Sequence, residues 1–438
     1  MTGVGMQIDW GRTSAGDVVA SARFALQATH GPAPSRPPLV TGNGVSTTAA
    51  APRQLKVRQA RRARASNSAA SRLSIYILAT LLFIAAGVAG VWRANAAFAP
   101  EMYADTGMAP AAAAFADGEN YAVFDLNLNI RRLRDLHVPT FAKTPEVVVL
   151  GASHWQEAHA GLVKTRRMYN GHVHRDYWED MLGVVEVYAR NNHFPKQMII
   201  AIRDNLFTPV ENRSDFLWEA GVDNYRAMAD RLGIQKESYW KTFPFHRIKE
   251  RLTVSMLFDN VTRWFNAGER PHQSGERHFA SLDTLLPDGS ILWSAQHKAI
   301  FTSERAEREA IAFADRRRNN PPKVDPQGVD AIDRLLTFLK QNGTEVTLVH
   351  PPFNPIFYDR VKGGSYPEGL DRIRQITRKL AADHGLQIIG EFDPAKLGCT
   401  ADMFIDAEHS NPACLAHVFA QFDALNERQT STLLVEQR

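Results

Sequence analysis

Several motifs that mark common enzyme classes are missing from this chain. It has no G-x-S-x-G, which excludes the usual α/β-hydrolase nucleophile turn, and no H-E-x-x-H, which excludes the commonest zinc-protease motif. It also lacks a glycine-rich phosphate loop and an internal repeat. Cysteine is scarce, with two residues among 438. We therefore expect no nucleotide cofactor, no metal cofactor and no repeat architecture.

Residues 1–71 contain few large apolar side chains and are rich in Ala, Ser, Thr, Gly and Pro, which predicts a disordered tail. Residues 1–73 hold ten Lys and Arg against two Asp and Glu, so the other residues hold 41 basic against 45 acidic side chains. The positive charge of the chain therefore belongs to the tail. Nucleic-acid binding by "RQARRARA" is one interpretation. A simpler interpretation is that these basic residues set the orientation of the following membrane segment or contact anionic lipid. We therefore expect no nucleic-acid partner.

An uncharged run of 19 residues follows, from Ser74 to Trp92. At about 1.5 Å per residue it spans a hydrocarbon core of roughly 30 Å, which predicts a transmembrane helix over 72–95. A buried core helix or a cleaved signal peptide fits this run less well. Basic side chains precede it, so the positive-inside rule predicts a cytoplasmic N-terminus and a C-terminal part outside the cytoplasm.

Beyond an alanine-rich stalk predicted at 96–120, short apolar runs alternate with amphipathic segments. Runs such as "PEVVVLG", "PKQMIIAI" and "TEVTLVH" have strand length, whereas "DPQGVDAIDRLLTFLKQNG" has helical spacing. Strands that are apolar on both faces indicate a parallel sheet covered by helices on both sides. We therefore predict an α/β domain over 121–438. An insertion at about 211–322 is predicted to pack beside the sheet as a lid or substrate wall.

The stretch "VVVLGASHW", residues 147–155, places a serine and a histidine directly after a predicted strand. In parallel sheets, ligands bind beyond the carboxyl ends of the strands. A serine nucleophile needs a base, and His154 is too close in sequence to face Ser153. His409 in "DMFIDAEHSNPACLAHV" is the better base, because Asp406 three residues earlier can orient it. The alternative is that these are ordinary polar residues at strand ends.

The two cysteines, Cys399 and Cys414, bracket this D-x-x-H segment. Both lie on the predicted extracytoplasmic side, where a disulfide is permitted. A bridge would close a loop of sixteen residues, counting both ends. In the loop-entropy model such a bridge stabilises the fold by about 3 kcal/mol. It would hold in place the loop that carries the base.

A strand ending in G-x-S, followed much later by D-x-x-H before the last helix, resembles the SGNH (GDSL-like) hydrolase superfamily. More narrowly, the chain is similar to membrane-anchored periplasmic SGNH-like proteins that handle acyl groups on envelope polysaccharides, such as the alginate-acetylation proteins. The similarity covers about 145–425, without the insertion. It implies a flavodoxin-like three-layer fold with Ser153 as nucleophile, His409 as base and Asp406 as the group that orients it. It also implies a bacterial inner-membrane protein with a periplasmic catalytic domain.

The resemblance further implies an oxyanion hole built from the serine N–H, a glycine N–H after the second strand and an asparagine side chain after the third. Gly171 in "YNGHVH" matches the glycine, and Asn205 in "AIRDNLF" is the candidate asparagine. The family's usual G-x-N-D is absent, so Asp204 or Arg203 could stand in that place instead. The family's G-D-S is likewise replaced by "GAS".

Other side chains are candidates for the pocket or for a metal site. Four are predicted to line the cleft: His154, Trp155, Asp204 and His350. For Trp155, stacking on a sugar and plain core packing are equally open. His159, His172 and His174 add imidazoles near the serine, but their spacing does not match a metal-binding helix, so we expect no metal site.

The sequence thus supports two main hypotheses. In the first, the protein is a serine esterase or O-acetyltransferase that acts on acyl groups of an exported or cell-surface polysaccharide through an acyl-serine. A membrane partner would supply the acyl group in the transferase case. In the second, the fold is catalytically inactive and serves polysaccharide binding or assembly. A third, weaker hypothesis makes the basic tail a docking segment for a cytoplasmic partner.

Overall fold

The computed structural model describes residues 72, 74–94, 108–123, 129–164, 167–209, 212–213, 221–234, 272–274 and 282–436. The predicted tail at 1–71 lies outside this part of the chain, and contacts divide the chain into two units, 1–77 and 78–438. Helix α1, Ser74–Ala94, is long and apolar enough to cross a membrane, and none of its most apolar stretch is buried. Phe83, for example, is 82% exposed. Such a surface argues against the alternative of a buried core helix.

The elements after α1 follow in chain order, apart from short 3-10 turns: α2 (Met108–Ala116), β1 (Asn120–Val123), α3 (Ile130–His137), β2 (Val147–Leu150), β3 (Met168–Asn170), α4 (Trp178–Arg190), β4 (Gln197–Ala201), α5 (Val222–Leu232), β5 (His272–Ser274), β6 (Asp283–Leu285), β7 (Ile291–Leu292), α6 (Ala295–Ile300), α7 (Ser303–Arg317), α8 (Pro326–Gln341), β8 (Glu345–His350), α9 (Pro355–Val361), α10 (Tyr366–His384), β9 (Gln387–Gly390) and α11 (Pro412–Glu436).

Five parallel strands form the central sheet in the order β3-β2-β4-β8-β9. Numbered by their own chain order, these strands run 2-1-3-4-5, which is the order of a flavodoxin-like doubly wound sheet. In that topology the chain reverses its winding direction between the first and third strands, here β2 and β4. Ligand sites form at this switch point, beyond the carboxyl ends of the strands.

Both faces of the sheet are buried, which is why its strands are apolar without alternation. Val148 and Leu150 of β2 belong to one core, built with α4, α8 and α10. Val147 and Val149 belong to a second core on the opposite face, built with α11. The structure therefore has an α/β architecture with helices on both sides of a parallel sheet, as predicted.

The helix ends follow the local sequence. Asp325 caps α8 by accepting a hydrogen bond from the Gln327 N–H, and Pro326 occupies the first helical turn, where its missing N–H costs nothing. Helix α10 ends at Gly385, whose φ of +69° lies in the left-handed region. These signals set the bounds of the helices that support β8 and β9.

The structure also contains a second, antiparallel sheet, which the sequence patterns did not predict. Its order is β5-β1-β6-β7, so β1 pairs with strands from the predicted insertion. Helix α2 packs on this sheet through buried side chains that include Met108 and Phe115. The prediction of a stalk up to residue 120 is therefore wrong over 108–116, because these alanines and their neighbours form a buried helix.

Candidate active site

The nucleophile turn follows β2 directly. Ser153 begins a 3-10 turn, Ser153–Trp155, and its side chain is half-buried at the carboxyl end of the strand. Gly151 makes this turn sterically feasible. A Cβ at that position would lie 2.6 Å from Trp155 Cδ1 and 2.7 Å from Ala201 Cβ, closer than real Cβ contacts. The glycine thus lets the chain turn back on itself and present the serine at the switch point.

Three predicted residues lie in line. Ser153 Oγ is 2.7 Å from His409 Nε2, and His409 Nδ1 is 2.7 Å from Asp406 Oδ2. An ionised Asp406 accepts from the Nδ1–H, which leaves Nε2 as the acceptor for the serine hydroxyl. The fold brings together two segments 256 positions apart to make this arrangement.

The loop that carries the histidine is fixed by its own backbone. Asp406 Oδ1 accepts from the N–H groups of Glu408 (2.8 Å) and His409 (2.9 Å), so one carboxylate shapes the turn and orients the ring. The His409 carbonyl accepts from the Ile405 N–H. Buried Asn354 ties the loop to the start of α9, because its side chain donates to the Asp406 carbonyl at 2.9 Å.

Cys399 and Cys414 are joined by a disulfide, with Cα atoms 5.3 Å apart. Both cysteines are buried in the core beneath α11. The bridge therefore connects the segment before the Asp406–His409 loop to the first turn of α11, so both ends of the loop are anchored.

Charge and hydrogen bonding between Asp406 and His409 shift the pKa values of both groups. Burial acts to lower the pKa of His409, but Asp406 outweighs it through charge and a hydrogen bond, so the pKa lies above the usual 6.5. Burial acts to raise the pKa of Asp406, but the His409 charge and hydrogen bonds hold it below the usual 3.8. The side chains of His409 and Asp406 are 24% and 28% exposed, so solvent weakens both effects.

A buried charge cluster adjoins the histidine. The Arg203 side chain is 6% exposed and lies 3.3 Å from Asp176, 3.7 Å from Asp204 and 4.0 Å from Glu408. Asp204 in turn accepts from the Tyr366 hydroxyl at 2.6 Å. Burial raises the pKa of Glu408 despite Arg203, and the Glu408 charge contributes to raising the pKa of His409. The cluster links the loop after β4 to the loop that carries the base.

Of the two backbone N–H groups predicted to bind the oxyanion, one is already hydrogen-bonded to a described residue and the other is not. The Gly171 N–H donates to the Val149 carbonyl at 2.8 Å, so it is not free for an oxyanion, and the prediction of this donor is wrong. Gly171 has a packing role, because a Cβ there would lie 2.8 Å from Leu150 Cδ2. The Ser153 N–H, by contrast, has no acceptor among the described residues.

The loop after β4 holds the third candidate. Arg203 and Asp204 are buried and engaged in the charge cluster, which leaves Asn205 as the candidate asparagine. Asn205 is half-buried, and its Oδ1 is buried without a partner in the described part of the chain. The free capacity at Oδ1 is that of an acceptor, so a donor role for Asn205 depends on its Nδ2 group.

All four predicted pocket residues are buried, His154 and His350 at 3% and 4% exposure and Trp155 and Asp204 at 1%. Trp155 is 1% exposed and packs edge-on against Phe419 of α11, so it cannot stack on a sugar. His350 is buried, pairs with the Thr377 hydroxyl at 3.0 Å and stacks on Phe392. Of the two roles left open for Trp155, the structure shows core packing, and the cleft position predicted for His154, Asp204 and His350 is wrong because all three are buried among other side chains.

Among the other predicted histidines, His154 and His172 are buried and His159 and His174 are partly buried. The His154 ring is buried with its centroid 5.3 Å from that of His409, and burial, then Arg203 and His409, hold its pKa well below 6.5. His172 and His174 lie in the loop after β3, and burial lowers the pKa of His174 to about 4. Within the described residues, no group of three or more His, Cys, Asp or Glu side chains forms a metal-binding cluster.

Glu157, Trp293 and Glu408 are not among the residues that the sequence predicts for the site. Glu408 adjoins the predicted base, but an acidic neighbour carries no specific signal. Glu157 ends a segment that begins at the predicted nucleophile, and Trp293 lies in the insertion. Glu157 and the segment that carries Trp293 are brought together by the second sheet, which no local sequence pattern predicts.

No protein-family model matches the chain, and no curated protein matches it significantly.

Proposed function

We propose that the protein is a membrane-anchored SGNH-like serine esterase or O-acyltransferase that acts on acyl groups of an exported or cell-surface polysaccharide. The observation that carries this proposal is the in-line arrangement of the Ser153 hydroxyl, the His409 imidazole and the Asp406 carboxylate. The half-buried serine stands at the switch point of the sheet, where a substrate has access.

The reaction takes place in two halves. Ser153 Oγ attacks the ester carbonyl carbon while His409 Nε2 takes the hydroxyl proton, and a tetrahedral oxyanion forms. The bond to the leaving alcohol then breaks, and His409 returns the proton to the departing oxygen. In the second half, water or a sugar hydroxyl loses its proton to His409 and attacks the acyl-serine. The bond between the acyl carbon and Ser153 Oγ then breaks, His409 returns the proton to Oγ, and a free acid or a new ester leaves. The Ser153 N–H and the Asn205 amide are the proposed oxyanion donors.

The disulfide supports an extracytoplasmic location for this domain, since such bonds persist in oxidising compartments. Helix α1 supports a single membrane anchor, and the basic residues before it favour a cytoplasmic N-terminus. We therefore infer a bacterial inner-membrane protein with a periplasmic catalytic domain. In the transferase case, a membrane partner delivers the acyl group.

A specific observation favours the second candidate function, an inactive polysaccharide-binding or assembly component. The Gly171 N–H is occupied by Val149, so the oxyanion site lacks the donor that the resemblance implied. Loss of one such donor costs about 10²–10³ in rate, which slows but does not abolish an esterase.

The test uses the full-length protein in detergent with p-nitrophenyl acetate and a fluorophosphonate probe. We expect the probe to label Ser153, and Ser153→Ala to lose about 10³-fold or more in kcat with no labelling. Ser365→Ala is the matched control, because this half-buried serine makes no capping hydrogen bond at the start of α10. Equal turnover by the wild type and Ser153→Ala, with no label at Ser153, would favour the inactive component.

A further inference from the structure

The insertion reaches the nucleophile turn through residues 282–294, which contain β6 and β7 and are termed the hairpin here. The Ile291 N–H donates to the Gln156 carbonyl at 2.7 Å. At the tip, the Asp288 carbonyl accepts from the Asn170 N–H at 2.6 Å, and its side chain accepts from the Ala160 N–H at 2.8 Å. The hairpin is thus bonded to the loop after Ser153 and to the end of β3.

The tip of the hairpin is also held sterically. Gly289 has a φ of +82°, and a Cβ on it would lie 2.2 Å from the Asn170 carbonyl oxygen, so only glycine allows this approach. Buried Arg134 donates to the Gly289 carbonyl at 2.8 Å. The hairpin therefore forms a fixed wall beside the nucleophile turn, and residues that follow β7 have a defined position.

Trp293 directly follows β7 in the hairpin, two residues after Ile291. It is half-exposed, and its ring contacts His297 and Phe301 with centroid distances of 5.2 Å and 5.3 Å. His297 is itself held by Asp283, whose Oδ2 lies 2.6 Å from Nδ1. The indole is therefore braced in one orientation while part of its surface remains open to solvent.

Glu157 follows the nucleophile turn, four residues after Ser153. It is 7% exposed, and burial raises the pKa of its carboxyl to about 7, opposed by Lys298, His409 and the Trp293 indole. The carbonyl of the preceding residue, Gln156, accepts from the Ile291 N–H at 2.7 Å, so Glu157 lies beside the part of the hairpin that leads to Trp293. The esterase steps described above do not use this carboxyl.

We propose that Trp293 and Glu157 form a subsite for the pyranose ring that carries or accepts the acyl group. Sugar rings combine an apolar C–H face, which packs on an aromatic ring, with hydroxyls that a carboxyl recognises by hydrogen bonds. The proposal rests on the proposed function and assigns to Trp293 the sugar-stacking role that Trp155, fully buried, cannot have.

The first test compares two acetyl esters with full-length protein in detergent: partially O-acetylated cello-oligosaccharides and p-nitrophenyl acetate. Trp293→Ala should lower the ratio of kcat/KM for the sugar ester over the aryl ester about tenfold, mainly through KM, and Trp293→Phe should restore much of it. Glu157→Leu should lower the ratio, whereas Glu157→Gln should retain most of it. Phe338→Ala is the matched control, because Phe338 of α8 packs on Phe194, which precedes β4 and therefore lies at the opposite end of the strands from Ser153.

The second test measures binding without turnover. Ser153→Ala protein should bind at least one polysaccharide from a panel of β-glucans, mannans and uronans, and Ser153→Ala/Trp293→Ala should lose that binding. Binding of this kind by a protein without esterase activity supports the subsite and overturns the proposed reaction. An unchanged ester ratio in Trp293→Ala overturns the subsite while the esterase stands. A failure of Ser153→Ala to bind any member of the panel also overturns the subsite.

Discussion

Removal of the Cys399–Cys414 bridge tests how the base is held in place. The bond closes a segment with a sequence separation of 15, and the loop-entropy model assigns about 3 kcal/mol of unfolding free energy to a closed loop of this length. Both cysteines are buried, so alanine is the appropriate replacement, since a serine hydroxyl would be left unpaired in the core. We expect Cys399→Ala/Cys414→Ala to fold but to lose about 3 kcal/mol of stability.

The effect on the site should exceed the effect expected from stability alone. Once the bridge is cut, the segment before Asp406 loses its covalent link to α11 and keeps hydrogen bonds to Asn411, which directly precedes α11, and to Asn354. A misplacement of about 1 Å between base and nucleophile can cost about 10²-fold in rate. We expect a loss of this order in kcat on p-nitrophenyl acetate at a temperature where the variant is fully folded.

The measurements are guanidinium unfolding followed by tryptophan fluorescence, and kcat at 20 °C below the unfolding transition. Wild-type protein treated with a reductant that opens the bond is the control for the substitutions themselves. A double variant as stable as the wild type would refute the entropic argument. A destabilised variant with unchanged kcat would show that the bridge stabilises the fold without positioning the base.

Three further predictions concern the same site. Asp406→Asn puts an amide where the carboxylate accepts the imidazole N–H, which reverses the tautomer of His409. We expect kcat on p-nitrophenyl acetate to fall about 10⁴-fold, and a fall below tenfold would contradict the assigned role. The base must be neutral, so kcat/KM should rise with pH through an apparent pKa above 6.5; Glu408→Gln should move that pKa downward, and an unmoved profile would exclude the coupling. Gly151→Ala should destabilise the fold by about 1–3 kcal/mol in thermal unfolding and reduce turnover, because its Cβ meets a buried indole at 2.6 Å. Gly183→Ala, whose nearest neighbour is 3.5 Å away, should be harmless, and equal losses in the two variants would refute the steric argument.

Much of the central domain followed from local pattern. Continuous apolar runs indicated strands buried on both faces, and the runs at 147–150, 197–201 and 345–350 are strands of the parallel sheet. Glycine at position 385 marked a helix end because left-handed φ is cheap only for glycine. The second sheet escaped prediction, because its strands are two to four residues long and pair β1 with segments over a hundred positions later.

In the candidate site, too, some residues could be predicted from local sequence patterns and others could not. Ser153, Asp406 and His409 could be proposed from sequence, because a hydroxyl after a strand and a carboxylate three residues from an imidazole are local patterns. Gly171, Trp155 and His350 looked equally suitable by position, but their hydrogen bonds and burial assign them to packing. Whether a side chain faces a cleft or a core depends on the elements that cover it, and these come from distant parts of the chain.

The sequence by itself determined the apolar helix at 74–94, the parallel sheet and the D-x-x-H turn, since each depends on side chains a few positions apart. Only the tertiary structure decided that Ser153 Oγ meets His409 Nε2, that the Gly171 N–H is already taken and that Trp155 lies in the core. The physical reason is that these contacts join segments separated by tens to hundreds of residues. Their geometry is fixed by sheet order and packing, which no short stretch of sequence encodes.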